Sequence, residues 1–472
     1  MATISSTGLG SGLDVESIIT KLMSIEQQPI ARLQTTASTI QTKISAFGQL
    51  QSALSTFRDS SLSLTKANTW GVTTATSSDA TAIQVTTGEN AVAGNYAISV
   101  EALATAQTTV SQTYASADAL VGAGTLRVEI GSFGQAGFAP QPNLAAMNID
   151  ISPTDSLAAV RNKINAAGAG VSAVIVNDTT GARLIISSTN PGSNSAFRLS
   201  GDGGAAAFGF DPDSGSNAMT QTQPPADAQV TINGLPVTTS GNRLSDTIQG
   251  MTINLSKVTT GPVQISVAQD NTTLKGSVQG FVDSYNALAK MLSAQTKYDE
   301  ATKTAGKLQG DSTAVSLQRQ LRSLVTSSSP ASSVYATLSS VGVALQADGT
   351  LKIDDTKLTS ALNANPAEVK KLFATSVPRP NPTDPDLNGI ATRLRIFGDQ
   401  ILGSDGALTT KTASLNTILS LNKKQQDTMT DRLSLTEKRL RAQYSSLDTN
   451  MSKLSALNTY ITNQVAAWNK SS

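Results

Sequence analysis

Catalytic chemistry has few places to start in this chain. Its 472 residues include no cysteine and no histidine. Disulfides, thiol nucleophiles, histidine-based triads and zinc sites of the usual kind are therefore excluded. Ser with Lys, carboxylates and Tyr remain. No Ser-x-x-Lys lies in a pocket context, and abundant Ser makes chance matches common. Thr7 to Asp14 reads Thr-Gly-Leu-Gly-Ser-Gly-Leu-Asp. Three alternating glycines suggest a phosphate cradle, but that motif needs a preceding strand and usually a Lys after the last Gly, so the stretch reads as a leader. Asp211-Pro-Asp-Ser-Gly-Ser-Asn217 brushes against a calcium loop, yet its Gly falls at the fifth position and no Glu follows at the twelfth; it reads as a turn. The residues point to no enzyme, no cofactor and no metal.

The spacing that does carry chemistry is apolar. Leu433, Leu440, Leu447, Leu454, Ile461 and Trp468 recur every seven residues, and Glu437, Tyr444, Met451, Asn458 and Val465 each follow four residues later. This is a heptad seam unbroken by Pro or Gly. Glu437 and Asn458 are polar seam positions, which weaken the seam but fix register or partner number. A seam cannot bury itself, so the helix needs a partner. A candidate lies at the other end of the chain, where Ile30, Leu33, Ala37, Ile40, Ile44, Phe47 and Leu54 follow similar spacing before Leu50 and Phe57 shift the face. Paired terminal helices imply termini close together, with everything else inserted between them. The remaining face of the 30–66 helix is nearly all Ser, Thr and Gln, which suits hydrogen-bonded contact with other chains or plain solvation.

The elements between these ends follow from periodicity. Asp14 caps a helix carrying Ile18, Ile19, Leu22, Met23 and Ile25, and Pro29 ends or kinks it. After Trp70 the pattern turns to period two: the segments from Thr81 and Asn95 alternate as strands of an antiparallel sheet, and Thr125 to Ile130 is a strand. Ser156 to Ala167 is a short amphipathic helix, and Val171 to Val176 with Arg183 to Ser188 make a hairpin around Asp178 to Gly181. Two further strand pairs are expected: Gln229 to Asn233 with Leu235 to Thr238, and Met251 to Leu255 with Val263 to Val267. Helical spacing returns from Thr273, through Phe281, Tyr285 and Leu288. Val315, Leu317, Leu321 and Leu324 line a second helix. Ala347-Asp-Gly349 turns a small hairpin, Lys357 to Leu362 and Pro366 to Phe373 are short helices, and Gly389 to Leu402 and Leu408 onward are helical. The fold class is α+β multidomain, with terminal helices forming a coiled-coil or bundle leg and one or two antiparallel β domains inserted.

Composition bounds the partners. Charged residues are 15% and the net charge is +1, so nothing argues for nucleic acid or an anionic membrane surface. No run of eighteen apolar residues predicts a membrane span. Met1 to Gly12 lacks the basic and apolar regions of a cleaved secretory signal. Absent cysteine is either a composition bias or the mark of a protein that crosses a secretion channel unfolded and works outside the cell.

An ordered series of motifs resembles the bacterial flagellar filament capping proteins. It comprises Gly8-Leu-Gly-Ser-Gly-Leu-Asp14 and Glu26-Gln-Gln-Pro29; Gly94 to Ala104; Leu157 to Leu199, with Lys163-Ile-Asn-Ala-Ala and Gly181-Ala-Arg-Leu-Ile-Ile-Ser; Phe281-Val-Asp-Ser-Tyr-Asn286; Leu308-Gln-Gly-Asp311; Leu338 to Val343; Asp348 to Asp354; Asn365 to Phe373; and Arg432 to Tyr460. The resemblance implies a leg (1–35 with 440–472), a helical-bundle domain (36–70 with 274–439), an inner β domain (71–105 with 228–273) and an outer inserted β domain (106–227). It also implies a ring of copies on the growing filament tip, where exported flagellin folds and inserts. The implied partners are copies of itself, flagellin, hook–filament junction proteins and an export chaperone on the C-terminal helix. The implied location is extracellular, at the distal tip of the bacterial flagellum, reached through the flagellar export channel.

The contact surfaces expected are the seam Leu433, Leu440, Tyr444, Leu447, Met451, Leu454, Ile461, Val465 and Trp468, and the N-terminal residues Leu9, Leu13, Ile18, Leu22, Ile30, Leu33, Ile40, Ile44 and Phe47. Leu9 through Leu22 are expected to order only against a filament. Alternatives are another axial component, such as a junction protein or flagellin, and an adhesin using its β domains on mucus or host surfaces.

Overall fold

The computed structural model describes residues 14–470 apart from 246, 302, 380 and 382–385, and the side chains of Ser216, Trp468 and Lys470 also lie outside it. The described residues form ten α-helices: α1 Val15–Glu26, α2 Gln28–Thr65, α3 Ala67–Trp70, α4 Leu157–Ala167, α5 Asn271–Thr296, α6 Ser312–Thr326, α7 Asp355–Ala364, α8 Pro366–Ala374, α9 Ile390–Leu402 and α10 Ala407–Lys470. They and the strands fall into two compact units. A helical unit holds the chain up to Thr69 and from Lys275 onward; a β unit spans Trp70–Leu274.

In the helical unit the local chemistry sets the breaks. Asp14 caps α1 by accepting from the Ser17 N–H at 2.9 Å, the pairing expected of an N-cap. Gln27 separates α1 from α2, and Pro29 falls in the first turn of α2, where its missing N–H costs nothing. Ile40, Phe47, Leu50, Leu54 and Phe57 of α2 are buried. Phe57 and Phe281 rings lie 5.5 Å apart and Phe281 and Phe373 rings 6.4 Å apart, tying α2, α5 and α8 into one core. On α6 the buried stripe is Ala314, Leu317, Leu321 and Val325, one step round from the expected Val315 and Leu324.

The described residues of the β unit form two apolar clusters. One lies between a five-stranded sheet and a three-stranded sheet. The larger runs in the order Thr73–Ser77, Val263–Gln269, Gly94–Ala102, Ala228–Ile232, Leu235–Thr239; the smaller runs Arg243–Leu244, Met251–Leu255, Ile83–Thr87. Ile83, Ile98, Val230, Ile253 and Ile265 fill the space between them. Asn233 and Gly234, both at positive φ, make the tight turn before Leu235. The expected pairing of Met251–Leu255 with Val263–Gln269 does not form. Met251–Leu255 pairs instead with Ile83–Thr87, and Val263–Gln269 with Thr73–Ser77 and Gly94–Ala102. The connection between the two, with Gly261 and Pro262, carries the chain from one sheet to the other, so both strands present Ile or Val to the same interior.

The second cluster packs α4, through Leu157, Val160 and Ile164, with strands from the Gly124–Gly134 and Gly181–Ser188 ladders. The hairpin of Val171–Asp178 with Gly181–Ser188 forms in full register. Side-chain amides pair with the backbone of single strand residues. Gln107 donates to the Phe197 carbonyl and accepts from its N–H, both at 2.9 Å, and Asn165 treats Ala173 the same way. The Asp211–Asn217 segment closes a short hairpin between Phe210–Asp211 and Ser216–Asn217.

Candidate assembly surface

The amino-terminal segment runs antiparallel along α10. Phe47 lies by Lys411, whose ammonium is 6.0 Å from the ring centroid. Pro29 and Leu33 share an open cavity of about 600 Å³ with Leu421 and Met429. Glu16 reaches Arg441. Ile30, Leu33 and Ile44 of α2 are half-buried, and Ile40 and Phe47 are buried. The partner of α2 is thus the first third of α10, together with α9, and not the heptad seam. The seam's own partner is α1: Val15, Ile19 and Met23 are buried against Leu433, Leu440 and Tyr444. The reason is register. Antiparallel helices meet residue for residue, so the segment that reaches Leu433 must precede Pro29.

Electrostatics closes this contact. Arg441 grips Glu16 bidentately, Nη1 to Oε2 at 2.6 Å and Nη2 to Oε1 at 2.7 Å, and its Nε donates to Glu437 Oε1 at 2.9 Å. The polar seam position Glu437 is therefore spent on orienting the arginine. The hydrogen bond from Arg441 holds the Glu16 carboxyl below its ordinary value, against a smaller opposing desolvation. A depressed carboxylate contributes fully above its unfolded pKa, near 4.5, and that contribution is lost as pH falls through the lower folded value. Glu16→Gln is expected to speed amide exchange through Val15–Glu26 at neutral pH, and 1 M NaCl to do the same to the unaltered protein. Unchanged exchange in both would mean that the three apolar contacts hold α1 alone.

Beyond Tyr444 the seam is bare among the described residues. Leu447, Met451, Leu454, Ile461 and Val465 are 45%, 39%, 60%, 51% and 48% exposed. Ile18 and Leu22, expected to order only against a filament, lie in α1, whose adjoining stripe of Val15, Ile19 and Met23 is packed on α10; Leu22 itself is exposed. Leu9 and Leu13 lie outside the described residues, as does the Trp468 side chain. The residues that sequence reasoning passed over are Val15, Glu16 and Arg441. The i, i+4, i+8 recurrence of Val15, Ile19 and Met23 was the available signal for the first; nothing in the sequence alone pairs Glu16 with Arg441.

Threonines on the hydroxyl-rich faces bond within their own helices. Thr35, Thr36, Thr39 and Thr42 on α2, and Thr428, Thr430, Thr449, Thr459 and Thr462 on α10, donate to carbonyls four residues back. The protons of these threonines are consumed within the helix, so their hydroxyls offer a partner mainly acceptor lone pairs.

Residues 225–456 match the family described as Flagellar hook-associated protein 2 C-terminus, residues 11–107 its N-terminal counterpart, and residues 139–190, which include α4 and the whole of the following hairpin, the Flagellin hook IN motif. The chain is 34% identical over 478 residues to the flagellar hook-associated protein 2 of Escherichia coli K12, with 98% of each chain covered. It is 29% identical to the B-type flagellar hook-associated protein 2 of Pseudomonas aeruginosa, with 98% of this chain and 97% of that one covered. The crystal structure of the flagellar cap protein D1-D2-D3 domains from Escherichia coli shares 33% identity and a TM-score of 0.63, over 79% of this chain and 99% of that one.

Proposed function

The chain belongs to the flagellar hook-associated protein 2 family, the flagellar cap proteins, and from that premise we propose that several copies ring the distal tip of the growing filament and hold it through the bare seam of α10. As a member of that family it is a structural protein of flagellum assembly and not an enzyme. Exported flagellin folds and inserts beneath the ring instead of escaping to the medium. The protein reaches the cell exterior through the flagellar export channel, with a chaperone covering the same C-terminal face before export. Hook–filament junction proteins are the first surface on which it sits.

One observation carries the reading: a seam of apolar side chains from Leu447 to Val465 that the described residues leave uncovered. At about 25 cal/mol per Å² of buried apolar surface, a few seam layers supply several kcal/mol, enough to hold a tip yet re-formable as subunits add. We divide the chain as 1–35 with 440–472 for the leg, 36–70 with 274–439 for the bundle, 71–105 with 228–273 for the inner β domain and 106–227 for the outer. Support for the last two is the separate apolar cluster in each. Immunogold labelling of filaments tests the proposal: label confined to one tip per filament is expected, and label along the shaft would place the protein among the shaft subunits.

A further inference from the structure

The near-zero net charge hides a division. Between Trp70 and Leu274 the chain carries 14 Asp and Glu against 7 Lys and Arg, whereas the remainder carries 20 against 28. The β unit is acidic and the helical unit basic, at similar magnitude.

The basic excess has a defined local focus. Behind the Ala347–Gly349 turn, a pocket of about 280 Å³ is lined by Tyr285, Leu292, Lys297, Arg319, Arg322 and Asp348. Lys297 follows the end of α5, and Arg319 and Arg322 project from α6, all three exposed. None of the three makes an ion pair among the described residues. The one carboxylate in the lining, Asp348, is engaged by Thr350, whose N–H and hydroxyl donate to it at 2.9 and 2.7 Å. The pocket floor is apolar and its aromatic member stays neutral, since burial pushes the Tyr285 hydroxyl up to about 12. Such a pocket, an apolar floor beneath three cations that no ion pair engages, with Asp348 as a single carboxylate beside them, keeps an excess of positive charge and fits a carboxylate on a short aliphatic stem.

We propose that this cationic pocket receives carboxylates from the acidic β unit of a second copy of the chain, so that copies join head to tail. The two surfaces differ, so the contact is heterologous, and a heterologous contact closes into a ring when its rotation allows. Opposite net charges make the encounter fast and set its polarity, and contacts of like units repel. The inference rests on the ring reading above and names the surface that would build the ring.

Sedimentation velocity of the full chain tests it. Association is expected in 50 mM NaCl and is weakened roughly tenfold or more in 500 mM, where screening shortens to a few ångströms. Lys297→Glu with Arg319→Glu and Arg322→Glu is expected to be monomeric at both salts; the neutral triple Gln variant, with its milder change, is expected to fall between. Carbodiimide coupling in a mixture of ¹⁵N-labelled and unlabelled protein should yield heavy–light links from Lys297 to Asp or Glu of residues 70–274. A chain that is monomeric at 50 mM NaCl, or whose association ignores salt, overturns the proposal. So does a triple Glu variant that associates normally, or heavy–light links confined to the helical unit. A triple Glu variant that still associates but fails to cap would assign the pocket to a filament subunit and overturn the second-copy assignment. Tip labelling reads the capping role separately, so either idea can fall without the other.

Discussion

Replacing Leu447 and Leu454 together by Asp is expected to leave a folded protein that no longer supports filament growth. Both side chains are largely exposed in the free chain, at 45% and 60%, so the change costs the fold no more than about 0.5 kcal/mol. In an assembled seam each Leu would contribute about 2 kcal/mol. Losing two forfeits about 4 kcal/mol, close to a thousandfold in affinity, before the penalty of burying two unpaired carboxylates is added. Leu435→Asp is the matched control. It is equally apolar and 67% exposed, lies on the same helix, and is off the seam, so normal filaments are expected. Filament length in a strain lacking the wild-type protein is the measurement, with circular dichroism confirming the fold. Full-length filaments from the double variant would remove the seam from the mechanism. Loss of growth with Leu435→Asp as well would show that any charge on this helix suffices.

How far the sequence could be read depended on whether the information was local. The heptads from Leu433 and the terminal helices were legible because apolar spacing is a property of one segment. So were Asp14 as a cap, the Asp178–Gly181 hairpin and the turn at Gly349, each specified by a few adjacent residues. Partner choice was not legible in the same way. Whether α1 or α2 faces Leu433 depends on where antiparallel helices begin to overlap, and the strand from Met251 prefers Ile83–Thr87 over its neighbour from Val263 because of tertiary packing. The apolar alternation of those strands suits either arrangement equally. The state of the hydroxyl faces was illegible for a related reason. Composition counts donors but does not say that Thr35 or Thr449 has already donated to its own helix. The charge division between the units was available all along, yet a whole-chain sum cancels it; charge counted by segment would have found it.

Phe281→Ala is expected to produce the largest loss of stability of any single change argued from this core. Phe281 is fully buried and contacts rings from two distant segments, with centroids 5.5 Å from Phe57 and 6.4 Å from Phe373; Phe57 in turn meets Tyr285 at 5.7 Å. These contacts close loops of more than two hundred and about ninety residues, so no nearby side chain can relax into the gap without moving α2 or α8. Deletion of a buried Phe side chain costs about 3–5 kcal/mol, a large part of the 5–15 kcal/mol typical of a domain. Urea denaturation followed at 222 nm, where the helical unit dominates, should show its midpoint fall sharply. Phe281→Leu, which keeps most of the volume, should recover more than half of the loss. The consequence reaches the tip contact, because this core holds α2 in place, and α2 sets where α1 meets Leu433. A Phe281→Ala protein whose midpoint moves by less than the Leu variant's would mean that the aromatic cluster is not what brings the two ends of the chain together.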